Sequence, residues 1–189
     1  MNKNNICEIF NSIQGEGRET GMPATFIRFN NCNKNCYFCD TDFESKGNIE
    51  SSFLNNIIFT GGEPFLFKED IVNFIKENRS KKFYGETNGS IFDDELATLV
   101  NWAISPKSVK DIDIVKKLLN ENTKNYIKLV YGCAEFKEMY NELKEYKERI
   151  YIQPMTRESE FLNLQECINF VAENDLKVSS RLHLLWGLK

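Results

Sequence analysis

Three cysteines, Cys32, Cys36 and Cys39, lie on one short segment of the chain. Three close thiolates can bind one face of a metal cluster, and a cluster of four irons held in this way keeps one iron for a small chelating ligand. Zinc is the alternative, because three cysteines and a fourth ligand form a tetrahedral structural site. Candidates for that fourth ligand are Cys7, Asp40 and His183. The spacing therefore indicates a metal site and leaves the metal open.

A glycine-rich turn, Thr60-Gly61-Gly62-Glu63-Pro64, follows the cysteines. Glycines let the backbone approach a ligand closely, and carbonyl and carboxylate oxygens can accept hydrogen bonds from an ammonium group. A tight structural turn that ends in proline has the same composition. Together with the cysteines, the turn favours a cofactor site.

Strand-like and helix-like patterns alternate along the chain. Short β-prone stretches occur at 7–10, 25–29, 57–60, 83–86, 102–105, 125–130 and 150–153. Helical periodicity occurs at 68–78, 93–100, 109–119, 136–143 and 161–174. This alternation predicts a mainly parallel sheet, with a site formed by the loops at the carboxyl ends of the strands. The turn at 60–64 and the segments 86–89, 105–107 and 153–155 would meet there.

The length bounds the fold. An eight-unit barrel needs about 200 to 250 residues, and this chain has 189. Only 50–56 offers a turn or two of helix for the first crossover, and no linker divides the chain. We expect one α/β domain over residues 1–189, an open or partial (β/α)6 barrel with an abbreviated first crossover.

Composition excludes some partners. The net charge of −4 and pI near 5.3 provide no basic footprint for nucleic acid. The first residues lack the apolar region of a secretory signal, and no run is long enough to span a membrane. We expect a cytoplasmic protein with no membrane partner, in which Cys7, Cys133 and Cys167 are buried apolar residues.

The cysteine spacing C-x3-C-x2-C, with Phe38 before the third cysteine, and the 60–64 turn resemble the motifs of the radical S-adenosylmethionine (SAM) superfamily. Within it, the segment 9–17, which includes Gln14-Gly15-Glu16-Gly17, resembles the opening of the 7-carboxy-7-deazaguanine synthase family. The likeness continues through 24–29, 39–41, 86–89, 105–107, 128–130, 153–155 and 182–188. It implies a 4Fe-4S cluster on the three cysteines, SAM and Mg²⁺.

The resemblance also assigns site residues by position. Contacts to SAM fall on Phe38, Cys39, Asp40, Gly62, Glu63, Ser105, Pro106, Lys107, Gln153, Pro154 and Met155. Contacts to the substrate fall on Ile13, Gln14, Gly15, Arg28, Thr60, His183 and Lys189 with its terminal carboxylate. Arg28 could bind a carboxylate through two bonds or be a buried structural arginine. Thr41 could bind Mg²⁺ or cap a turn, and His183 could contact substrate or fill a polar gap in the core.

The activity that the resemblance implies is radical ring contraction of 6-carboxy-5,6,7,8-tetrahydropterin to 7-carboxy-7-deazaguanine with loss of ammonia, in queuosine and deazapurine biosynthesis. It further implies an external electron donor such as a flavodoxin, and a homodimer, in which the segment 182–188 could form part of the interface. One alternative is an activase that makes a glycyl radical in a partner protein, although the Gln-Gly-Glu-Gly segment argues against it. Another is a noncatalytic metal-binding or electron-carrier module.

Overall fold

The computed structural model describes residues 1–41, 46–157 and 160–188. Its strands are β1 (Ile6–Ile13), β2 (Pro23–Phe29), β3 (Asn56–Gly61), β4 (Lys82–Thr87), β5 (Asn101–Ile104), β6 (Tyr126–Tyr131), β7 (Ile150–Pro154), β8 (Thr156–Arg157), β9 (Glu160–Phe161) and β10 (Lys177–Val178). Its α-helices are α1 (Lys68–Glu77), α2 (Asp94–Leu99), α3 (Ile112–Glu121), α4 (Phe136–Leu143), α5 (Leu164–Glu173) and α6 (Leu182–Trp186). The seven predicted strands and five predicted helices are confirmed.

Eight strands form one sheet in the order β1-β2-β3-β4-β5-β6-β7-β10. Strand β1 pairs with β2 in antiparallel orientation, and every later pair in this sheet is parallel. Strands β1 and β10 lie at opposite ends of the order, so the sheet is not closed into a barrel. The predicted open, partial barrel is confirmed. The short β8–β9 hairpin and β10 were not predicted, because two-residue strands carry no recognisable pattern.

The core lies between the sheet and its helices. Alternate residues along a strand face opposite sides of a sheet, and on β6 Ile127 and Leu129 belong to the core while Lys128 lines a cavity on the other side. On β5, Trp102 is fully buried, and its indole N–H donates to the Leu96 carbonyl at 2.8 Å. One side of the sheet is therefore an apolar core, and the other is available for a site.

The first crossover contains no helix among its described residues. The turn or two of helix that the sequence allowed over 50–56 does not form, and residues 47–50 bond to β1 instead. The Ile9 N–H donates to Asn48 O at 2.8 Å, the Glu50 N–H to Ile9 O at 2.9 Å, and Ile9 and Ile49 form a parallel bridge. These bonds satisfy backbone groups on the outer edge of β1, which a one-turn helix would leave exposed.

None of the helices in the described part of the chain has both the length and the apolar character required to cross a bilayer.

Candidate active site

The loops at the carboxyl ends of the parallel strands surround a cavity of about 460 Å³. The three cysteines of the 32–39 loop line it, together with side chains from β1, β2, β3, β4, β6 and β7 and from the segment that contains α6. Ligand sites in parallel α/β sheets occur at this edge because the loops that follow the strands converge there. The cavity is therefore the candidate active site.

The cysteine loop contributes its thiols to one side of this cavity. Cys32 and Cys36 are partly buried, Cys39 is exposed, and all three are free. The backbone N–H of Lys34 donates to the Cys32 sulfur at 3.4 Å, and the Asn88 side-chain amide donates to it at 3.7 Å. Hydrogen bonds to sulfur are among the features that tune protein-bound iron–sulfur clusters. Burial raises the pKa of Cys36, an effect that nearby Lys107 opposes.

The cysteine loop fits a 4Fe-4S cluster. Its three free thiols line one cavity, and such a cluster can accept thiolates at separate irons.

The glycine-rich turn packs against the start of the cysteine loop. The Gly62 N–H donates to Phe29 O at 2.9 Å, and the Glu63 N–H donates to Asn31 O at 2.7 Å. A Cβ atom at Gly62 would overlap the Asn31 carbonyl and lie 2.9 Å from the Asn31 nitrogen. Glycine is therefore required here by the close approach of two backbones, and the turn fixes the position of the cysteine loop.

The side chain of Glu63 binds neighbouring parts of the protein. Its side chain is fully buried, is absent from the cavity wall, and accepts hydrogen bonds from Phe65 N–H, the Thr87 hydroxyl and Asn88 N–H at 2.7 to 3.1 Å. Burial raises its pKa, while these three bonds oppose that shift. In this structure the side chain of Glu63 ties the glycine turn to the end of β4, and its contact with SAM stays a prediction.

Pro106 is also buried and is absent from the cavity wall, and its contact with SAM likewise stays a prediction. The other described residues assigned to SAM line the cavity, and they are Phe38, Cys39, Asp40, Gly62, Ser105, Lys107, Gln153, Pro154 and Met155. The described residues assigned to substrate also line it, as does Thr41. Lys189 lies outside the described residues.

Lys107 has no carboxylate partner within 4 Å among the described residues. Its ammonium donates to the Ser105 hydroxyl at 2.8 Å and stands 5.5 Å from the centre of the Phe38 ring. Burial lowers its pKa, and repulsion from Lys128 adds to that effect. A partly buried cation of this kind favours binding of an anionic group.

Arg28 and His183 stand at the β1–β2 side of the cavity. The Arg28 Nε donates to Glu8 at 2.8 Å, and its guanidinium lies 5.6 Å from the centre of the Phe10 ring. His183 lies against Gly15, where an added Cβ would be 2.5 Å from its Nδ1 atom. Burial lowers the pKa of His183, although Glu16 opposes the shift. Both side chains line the cavity and are held by neighbours.

A row of charged side chains lines the cavity wall, and the sequence analysis assigned no role to most of them. The Lys128 ammonium contacts Glu16 and also donates to Glu86 at 3.3 Å. Arg181 donates to the second oxygen of Glu16 at 2.9 Å and also contacts Asp40 and Thr156. One signal was available: a lysine in the middle of the apolar strand Tyr-Ile-Lys-Leu-Val-Tyr is unusual unless it has buried partners.

Neighbouring charges in this row shift one another's pKa values. Burial lowers the pKa of Lys128, but the two carboxylates outweigh burial and raise it well above its usual value. Burial raises the pKa of Glu86, but Lys128 and the hydrogen bond from Thr60 outweigh burial and lower it to about 2. Both groups are therefore ionised at neutral pH.

No protein-family model matches the chain. It is 30% identical to the 7-carboxy-7-deazaguanine synthase of Archaeoglobus fulgidus over 230 aligned positions, which cover 98% of this chain and 99% of that protein. It is 36% identical to the synthase of Thermoplasma acidophilum over 149 positions, or 66% of this chain and 68% of that protein.

A crystal structure of QueE from Escherichia coli has the same fold, with a TM-score of 0.66 at 21% identity, over 94% of this chain and 93% of that one. The relatives are named as synthases, which does not favour the activase alternative. Because the first relative matches nearly the whole chain at 30% identity, this chain belongs to the 7-carboxy-7-deazaguanine synthase family of radical SAM enzymes.

Proposed function

We propose that this chain is a 7-carboxy-7-deazaguanine synthase, a radical SAM carbon–nitrogen lyase that contracts 6-carboxy-5,6,7,8-tetrahydropterin with loss of ammonia. The observation that carries the proposal is that one cavity collects the three cysteines and most of the residues assigned to SAM and to the pterin. The product would enter queuosine or related deazapurine biosynthesis.

Cys32, Cys36 and Cys39 would hold the cluster, since their thiols face this cavity on one loop. The Lys107 ammonium would bind the SAM carboxylate, because it lacks a carboxylate partner among the described residues. The backbone at Gly62 would receive the methionyl amine, and Phe38, Ser105 and the 153–155 segment would bind the adenosyl group.

When bound, the cluster and SAM would supply radical chemistry at the pterin. The protein's contribution is to orient the pterin and to shield the reaction from water. Phe38, Pro154 and Met155 give that side of the cavity an apolar wall, with Tyr37 packed edge-on against Phe38.

The pterin carboxylate would bind Arg28. The bond from Arg28 Nε to Glu8 orients the guanidinium, whose terminal nitrogens provide paired N–H donors suited to a carboxylate. Thr60, Gln14 and His183 stand along the same wall and would contact the ring, and the loop at Ile13 and Gly15 would pack on it. Lys189, which lies outside the described residues, is a further proposed contact to the pterin.

Thr41 would hold Mg²⁺ beside the substrate. Its side chain lines the cavity next to the cysteine loop. Mg²⁺ commonly keeps several waters and uses few protein ligands in addition to substrate oxygens. A single protein hydroxyl is therefore enough for a site completed by the substrate carboxylate and water.

Three further parts of the proposal concern organisation. Residues 1–189 would form one domain, because strands from both ends of the chain join one sheet. An external reductant such as a flavodoxin would supply the electron. A second copy would form a homodimer, which the exposed Leu185 and Trp186 on α6 support, each with 64% of its surface accessible.

Anaerobically reconstituted protein, given reductant, SAM, Mg²⁺ and 6-carboxytetrahydropterin, tests the function by mass spectrometry. We expect both 5′-deoxyadenosine and 7-carboxy-7-deazaguanine. A Cys36→Ala variant should form neither product, whereas Cys167→Ala, which removes a buried thiol outside the cavity wall, should form both. Deoxyadenosine without the deazaguanine would refute the substrate, and an active Cys36→Ala variant would refute the cluster site.

A further inference from the structure

Lys128 occupies an unusual place for a lysine. It lies on a central strand, between Ile127 and Leu129 of the core, and the alternation of β6 turns its side chain toward the cavity. Only 8% of the Lys128 side chain is exposed. Its position is therefore set by the strand, and the groups around its ammonium determine what it does.

Two carboxylates share this ammonium. Glu16 approaches it from the segment after β1, and Glu86 approaches from β4, with the Glu86 oxygen 3.3 Å from Nζ. Two carboxylates held close together repel each other, and a cation between them offsets that repulsion. Lys128 contacts both carboxylates, and Arg181 also contacts Glu16.

The side chains of Lys128, Glu16 and Glu86 differ in how much of their surface is exposed. Glu86 has 26% of its side chain exposed, compared with 8% for Lys128 and 11% for Glu16. Thr60 donates to one Glu86 oxygen at 2.7 Å, and Gln14 approaches the other at 3.4 Å. Among these three charged groups, the carboxylate of Glu86 is therefore the one most open to a ligand.

We propose that Lys128 is a positioning residue, which keeps Glu86 as an ionised hydrogen-bond acceptor for the N–H donors of the pterin ring. This inference rests on the proposed function, because it assumes a reduced pterin in the cavity. An ionised carboxylate accepts hydrogen bonds through both oxygens, whereas a protonated one must donate through one of them. Loss of Lys128 would make this difference depend on pH.

Other charged and titratable groups lie near Lys128, Glu16 and Glu86, and their titration could also change the affinity for the pterin. They are Arg28, Asp40, Lys107, Tyr126, Arg181 and His183. All of them are also present in the parent protein, so their titration already contributes to the dependence of the parent's pterin affinity on pH. The difference between the profiles of parent and variant isolates the effect of Lys128.

The test measures pterin binding by calorimetry in the reconstituted, SAM-bound enzyme without reductant, so that no turnover occurs. Parent, Lys128→Met and Lys128→Arg are compared from pH 6.5 to 9, after iron analysis and circular dichroism. We expect a nearly flat affinity profile for the parent and for Lys128→Arg. For Lys128→Met we expect binding about 10- to 100-fold weaker at the acidic end, the size of one charge-assisted hydrogen bond, with recovery as pH rises.

Glu86→Gln provides a second variant of nearly unchanged shape. It should bind the pterin about 10- to 100-fold more weakly at every pH, because a neutral amide cannot titrate. Unchanged binding in Glu86→Gln, or a pH-independent loss in Lys128→Met, would overturn the inference while the parent still makes product. A parent that binds no pterin would overturn the proposed function and this inference together.

Discussion

Replacing Gly62 by alanine tests the contact between the glycine turn and the cysteine loop. The new methyl group would overlap the carbonyl of Asn31, the residue before Cys32, and the contact is with backbone rather than with a side chain that could rotate away. The Glu63 N–H bond to the same carbonyl, 2.7 Å long, would be strained or lost. The cysteine loop must therefore move.

The expected cost follows from these two contacts. Overpacking a tight site costs about 1 to 3 kcal/mol, and loss of one hydrogen bond costs about 1 kcal/mol. For a chain of this size, about 2 kcal/mol lowers Tm by about 4 to 8 °C. Thermal unfolding of the metal-free protein, followed by circular dichroism, measures the shift, and iron analysis after reconstitution measures the damage to the cysteine loop.

Gly21→Ala is the matched control. Gly21 has φ of +90° but no atom within 4 Å of an added Cβ, so its substitution strains the backbone without touching the cysteine loop. We expect it to lower Tm by a few degrees and to retain roughly the parent's four irons per chain. If Gly62→Ala unfolded at the parent's temperature and bound the same iron, the proposed link between the turn and the loop would be wrong.

Three other predictions concern single side chains. Lys107→Met should raise the KM for SAM at least tenfold, measured as deoxyadenosine formation, because it removes the cation proposed for the SAM carboxylate; exposed Lys110→Met should leave KM unchanged. Thr41→Ala should abolish the stimulation of product formation by Mg²⁺ while iron content stays the same. Glu86→Gln should make the free energy of unfolding fall less steeply at acidic pH. The pKa of Glu86 is lowered from 4.5 to about 2, so the stabilisation by its carboxylate is complete above pH 4.5 and is lost as pH falls toward 2. Urea unfolding at several pH values measures that slope, and an unchanged slope in the variant would contradict the assignment.

The sequence was sufficient for the framework of the fold. Alternating apolar patterns predicted β1 to β7 and the first five helices, because each strand or helix buries one regular face. The first crossover could not be predicted in this way. Whether residues 50–56 form a turn of helix, or the chain just before them bonds to the edge of β1, depends on the tertiary position of that edge, which local periodicity does not contain.

The site residues also fall into those that the sequence could identify and those that depend on the tertiary structure. Cys32, Cys36 and Cys39 could be identified because they are neighbours in sequence, and resemblance extended the set to distant loops. Glu16, Glu86, Lys128 and Arg181 were missed because their pairing joins parts of the chain that are distant in sequence and meet only in the folded protein. The motif of Glu63 is conspicuous in the sequence, but the sequence does not show that its carboxylate accepts hydrogen bonds from backbone and hydroxyl donors.

The central claim is that SAM cleavage and pterin conversion occur in this one cavity. The most direct measurement uses 6-carboxytetrahydropterin deuterated at the carbon that bears the carboxylate, with mass spectrometry of the 5′-deoxyadenosine formed by the reconstituted enzyme. We predict that the deoxyadenosine carries deuterium from the substrate and that 7-carboxy-7-deazaguanine accumulates with it. Deoxyadenosine that contains no deuterium, formed in amounts independent of the pterin, would contradict the account.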